Sequence, residues 1–123
     1  EHLSEISKRV SGEKLLEIRE MIRHVHMDES IADYLMSLVH ETRAHSDLAL
    51  GCSTRGAMDF AAMARAYAFV CGRDYVLVDD IKVLGPLILP HRLVLAQPRM
   101  DATDRQRCIE IVTEVFREIP VPR

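Results

Sequence analysis

The residues best suited by type and spacing to do chemistry lie in the run Leu-Gly-Cys-Ser-Thr-Arg-Gly at 50–56. Ser53 suits a helix N-cap, because its hydroxyl can accept from one of the four backbone N–H groups that a helix start leaves unpaired. Arg55 is then the second helical residue, at the end where the helix dipole makes a cation cost roughly 0.3–1 kcal/mol. An arginine at that end is either incidental or held there for a ligand. Free N–H groups and a forked, permanently charged guanidinium together suit an anion, above all a phosphate. Charge-assisted hydrogen bonds to such a group are worth about 1.5–3 kcal/mol each. The competing partner is Asp59 at i+4, an intrahelical pair worth roughly 0.2–0.5 kcal/mol at best in this cation-first order. Gly51, Ser53 and Thr54 are weaker candidates for the same anion site.

The other reactive side chains read as structural. His24 and His26 form an H-x-H pair, and His40 and His45 follow near the end of the next helix. Metal ligation needs several such groups converging, so solvated histidines and no metal site are expected. Cys52, Cys71 and Cys108 are an odd set without a C-x-x-C pair. They read as small buried hydrophobes in a protein of the reducing cytoplasm, with no disulfide framework and no zinc site. Met58 and Met63 read as fillers of core gaps. No G-x-x-x-x-G-K-[ST] phosphate loop, Ser/His/Asp order or H-E-x-x-H pattern is present, so no catalytic residue is expected in this chain.

Composition agrees with that modest chemistry. The 123 residues suffice for one core, and the net charge of −3 argues against a nucleic-acid-binding surface. No apolar run approaches the roughly 20 residues of a membrane span, and no secretory signal opens the chain.

The elements that must position Arg55 are helices. Ser11 can cap a helix to about His24 with Leu15, Ile18 and Ile22 on one stripe. Asp28 can cap a second, whose Ile31, Leu35, Leu38, Val39 and Thr42 follow the spacing of one buried face. From Ser53 to the stop at Gly72 the chain is apolar almost all round, which predicts a central helix buried on most sides. A fourth helix begins near Asp79, and Pro86 and Pro90 should each kink or end it. Thr103 and Gln106 have capping-box spacing for a last helix carrying Ile109, Val112, Val115, Phe116 and Ile119. The stretch Asp74–Val78 could be extended but has no evident partner strand. The fold class is all-α, a small helical bundle.

Residues 48–95 resemble the C-terminal lid subdomain of the MoxR-type AAA+ ATPases. That family's pattern is roughly L-x-L-G-A-S-P-R-A, an alanine-rich helix, G-R-D-Y-V-T-P-D-D-V-K, then H-R-L-x-L. Leu48, Leu50, Gly51, Ser53, Arg55, Gly72–Val76, Asp79, Asp80, Lys82 and His91–Leu95 match it. Tyr34–Arg43 resembles the upstream Y-I-x-x-L-V-x-x-T-R, and the closing Pro-Val-Pro also fits. The resemblance implies that Arg55 is the "sensor 2" arginine, reaching from the lid toward the γ-phosphate of ATP held by a preceding core domain. It implies a parent that hydrolyses ATP with Mg2+ in that core and forms a hexamer through neighbouring subunits. It further implies chaperone-like assembly or activation of other complexes, with von Willebrand A-domain proteins as partners.

Departures from the pattern fall close to the site. Thr54 replaces proline, Gly56 replaces alanine, and Asp59 stands where a small neutral residue is usual, so that it could hold Arg55 back. Leu77-Val78 replaces Thr-Pro, which removes the expected cap of the fourth helix, and Pro90 adds a break.

The expected organisation has three parts. Residues 1–27 are a linker and helix from a missing AAA+ core, 28–95 are the lid with a four-helix core, and 96–123 are a loop and C-terminal helix packing back. The chain opens at Glu1 without an initiator methionine, and a fragment of something larger is expected. The alternative is a stand-alone helical protein-interaction module without nucleotide binding.

Overall fold

The computed structural model describes residues 6–123; residues 1–5, at the head of the expected linker, lie outside the described residues. Ser11 caps α1 (Gly12–Arg23), accepting from the Lys14 N–H at 3.1 Å. No residue of α1 is buried, so its apolar stripe is covered only in part, by α3. Asp28 caps α2 (Glu29–Ala44), and the expected stripe is buried together with Tyr34.

Ser53 caps α3 (Thr54–Val70). At its far end Gly72 takes φ +78°, a left-handed conformation in which a Cβ is strained. The Gly72 N–H donates to the Phe69 carbonyl and the Arg73 N–H to the Ala68 carbonyl, both at 2.9 Å, which closes the helix in a Schellman motif. α3 is not buried on most sides. Gly56, Ala57, Phe60, Ala64 and Ala68 face the core, whereas Met58 is 69% exposed and Met63 and Val70 are also exposed. These methionines therefore fill no core gap, because no described element covers that side of the helix.

α4 (Val78–Ile88) begins without a hydroxyl cap, and the Asp80 carboxylate reaches back from the first turn to accept the Leu77 N–H at 2.8 Å. Pro86 does not end the helix, which runs on to Ile88. The carbonyl it leaves without a donor belongs to exposed Lys82, where water can serve instead. Pro90 does end it, heading a 3₁₀ turn (Pro90–Arg92). Gly85 is required by close packing: a Cβ there would lie 2.2 Å from the Phe116 ring.

α5 (Ala102–Glu118) is capped by Asp101, which accepts from the Thr103 N–H at 2.8 Å, and not by Thr103. The aspartate one residue before the helix start outcompetes the hydroxyl that the capping-box spacing favoured. Cys108, Ile111, Val112 and Val115 of α5 are buried against α2 and α4. Residues 28–95 thus hold three α-helices and a turn, not four helices, and α5 supplies the fourth wall of the core. Phe60, Leu38, Ile81, Leu89 and Ile111 are its largest fully buried side chains.

Two extended pairings join the helices. β1 (Leu48–Leu50) pairs antiparallel with β2 (Val94–Leu95). The extended stretch at Tyr75 does have a partner, since the His26 N–H donates to the Asp74 carbonyl and the Val76 N–H to the His26 carbonyl, both at 2.8 Å.

Candidate functional site

The start of α3 is fastened by the end of α2. The buried Thr42 hydroxyl donates to the Val39 carbonyl at 2.6 Å and accepts the Cys52 N–H at 2.9 Å. Arg43 Nε donates to the Cys52 carbonyl at 2.8 Å. Both polar groups of the Cys52 backbone are therefore held by the Thr-Arg pair, one residue before the Ser53 cap. Gly51 lets the chain approach: a Cβ there would lie 2.5 Å from the Arg43 backbone nitrogen. The Gly-Cys-Ser run is a seat built to set the first turn of α3.

That turn exposes its donors. Ser53 Oγ accepts the Gly56 N–H at 3.1 Å and the Ser53 carbonyl accepts the Ala57 N–H at 2.9 Å. The Thr54 and Arg55 N–H groups remain the open donors of the helix start. Arg55 is exposed, and among the described residues it makes no ion pair and no side-chain hydrogen bond. Asp59 is not its partner. The Asp59 carboxylate meets Arg92 Nη2 of the 3₁₀ turn at 3.2 Å.

Gly56 has a structural reason as well. A Cβ there would lie 2.7 Å from Cys52 Sγ and 3.3 Å from Arg92 Cδ. Sulfur at 52 and a bare backbone at 56 share one space, which gives the departure at Gly56 a packing reason. Burial pushes the Cys52 thiol up despite Arg92 and Arg43 nearby, so it is a packing group and not a nucleophile. Cys108 is likewise buried, but Cys71 is exposed, contrary to the expectation for all three cysteines.

Two further charge clusters lie elsewhere. Arg73 grips Asp80 through both nitrogens, at 2.6 and 2.8 Å. Burial raises the Asp80 carboxyl, but Arg73 and the Leu77 N–H outweigh it and hold it below the usual carboxylate range. His45 is not solvated as expected: its Nε2 lies 3.0 Å from Glu114, which also accepts from Arg107 at 2.9 Å. Arg107 pairs in turn with Asp47, tying the α2–β1 turn to α5. Their distance in the chain hid this cluster from any spacing rule. His24 and His40 are exposed. Among the described residues no group of three or more His, Cys, Asp or Glu side chains gathers as a metal site would need, and no helix is long and apolar enough to cross a membrane.

The arrangement around residue 55, a fastened helix start beneath an unpaired arginine, lies inside the region that matches a known domain. Residues 40–112 match the model of the AAA lid domain. The chain belongs to the AAA lid domain family. It is a lid of the MoxR type. It is 33% identical to the uncharacterized protein YeaC of Bacillus subtilis, over 92% of this chain and 35% of that protein. It is 32% identical to the chaperone MoxR1 of Mycobacterium tuberculosis, over 89% of this chain and 31% of that one. A solved structure of a candidate ATPase from Cytophaga hutchinsonii superposes with a TM-score of 0.79 at 32% identity, covering 93% of the lid and 37% of its own chain. The lid spans about a third of the length of these relatives.

Proposed function

We propose that this lid senses the nucleotide of a MoxR-like AAA+ ATPase, with Arg55 as the sensor 2 residue directed at the ATP γ-phosphate. The observation that carries the reading is an exposed guanidinium with no ion pair among the described residues, beside two open backbone donors, at the start of α3 in an AAA lid. Ser53 and Gly51 serve by building that start, and Thr54 by offering its N–H. The residues suit a phosphate oxygen, but the lid has no cradle for a whole triphosphate. Binding of ATP and its Mg2+, and activation of water, therefore belong to a core domain of the same protein.

A contact that exists with ATP and vanishes with ADP gives the lid different affinities for the two states, and such a difference is what drives a conformational switch. The exposed apolar residues of α3, Met58, Met63 and Val70, offer a surface for the core or for a neighbouring subunit in a ring, for which we propose a hexamer. A chaperone-like role in assembling other complexes accords with similarity to a protein named chaperone MoxR1, and we propose with it a cytoplasmic setting and von Willebrand A-domain partners.

Arg55→Ala in the full-length protein tests the reading. Loss of one charge-assisted contact lowers ATP turnover about tenfold or more. Unchanged turnover overturns the sensor assignment.

A further inference from the structure

Asp59 is the natural partner of Arg55, since residues four apart on a helix face one another. The structure gives it another. Arg92 reaches Asp59 Oδ2 at 3.2 Å from the turn after α4, and Arg55 is left without an ion pair among the described residues. The Arg92 stem passes close over Gly56, with Cδ 3.3 Å from where a Cβ would stand. Its Nε is buried there with no partner among the described residues, so that part of the side chain packs against the fold. The Arg92 N–H is fixed to the Leu89 carbonyl at 2.9 Å, and Leu89 and Leu93 anchor the turn in the core.

We propose that Arg92 is a positioning residue for the nucleotide site: it occupies the Asp59 carboxylate and so keeps the Arg55 guanidinium available for phosphate. This rests on the sensor reading of Arg55. With Arg92 in place the cluster of Arg55, Asp59 and Arg92 carries net charge +1 beside open N–H donors. Without it the cluster is neutral, and a carboxylate competes with the phosphate for Arg55. The carboxylate that the family pattern lacks at position 59 is thereby rendered harmless by an arginine from across the fold.

Steady-state ATP hydrolysis by the full-length protein tests this through KM and kcat separately. Arg92→Gln is expected to raise KM for ATP about two- to fivefold, the range of an exposed ion pair, with kcat little changed. Adding Asp59→Asn to Arg92→Gln is expected to restore KM, and Arg92→Lys to preserve most of it. Asp59→Asn alone, a change at a half-exposed side chain, is expected to leave KM unchanged or lower. An unaltered KM in Arg92→Gln, a defect that Asp59→Asn does not repair, or a raised KM in Asp59→Asn alone overturns the proposal. Arg55→Ala run alongside separates the two ideas. If Arg55→Ala slows turnover while Arg92→Gln leaves KM unaltered, the positioning role falls alone and the sensor reading survives. If neither variant changes hydrolysis, the sensor reading falls and takes the positioning role with it.

Discussion

Arg55 and Arg73 flank the two ends of α3, and the fold treats them in opposite ways. Arg73 follows the C-terminal end, where the helix dipole favours a cation. It is bound by both nitrogens to Asp80, whose side chain is only 4% exposed. Arg55 stands at the unfavourable end, in solvent, with its near neighbour Asp59 taken by Arg92. One arginine holds α4 to the end of α3, and the other makes no such contact among the described residues. A charged residue that the surrounding structure leaves unpaired at a disfavoured position is a better pointer to a ligand than one with a perfect partner.

Breaking the Arg73 side of this contrast should have the largest effect. Asp80→Ala leaves Arg73 without its counter-charge and the Leu77 N–H without its acceptor. Arg73 keeps a fifth of its side chain in water, so the cost is below that of a fully buried pair, about 2–3 kcal/mol by urea denaturation. Next is the seat of the Arg55 turn. Gly56→Ala forces a Cβ against Cys52 Sγ and is expected to cost about 1–2 kcal/mol, most of it recovered in Cys52→Ala/Gly56→Ala. A double mutant no more stable than Gly56→Ala would show that Arg92, not the sulfur, fills the space.

Acid gives a smaller effect with a definite sign. The Asp80 carboxyl titrates below its usual range when folded, so its stabilisation is complete above the ordinary aspartate value of about 3.9 and is lost as pH falls below it. The stability of Asp80→Asn should therefore depend less on pH than that of the parent protein below about pH 5, as followed by thermal unfolding across acid buffers. Smallest of all, Arg55→Ala should leave the urea midpoint unchanged, because the side chain holds nothing in the fold. A destabilised Arg55→Ala would erase the distinction between the two arginines.

Much of this could be read in advance where the governing contact is local. Ser11, Asp28 and Ser53 cap the helices they precede, because a hydroxyl or carboxylate two or three residues from an open N–H reaches it whatever the rest of the chain does. The buried stripe of α2 follows from its spacing in the same way. The failures share a cause as well. Met58 and Met63 lie on a face that no described element covers, and apolar composition cannot say which side of a helix finds a neighbour. Pro86 did not end α4, which runs on to Ile88. β1 and β2 are too short, at three and two residues, for alternation to show.

By itself the amino-acid order determined the helices, most of their caps, the family, and the placing of Arg55 at the first turn of α3. Those features depend on groups within about four residues of one another, or on a pattern that similar chains share. Only the tertiary structure decided which carboxylate each arginine meets, that Gly51, Gly56 and Gly85 stand where backbones or side chains press close, and that Thr42 and Arg43 fasten Cys52. Such choices turn on how distant segments cross, and the path of the chain through the core, not the spacing along it, sets those distances.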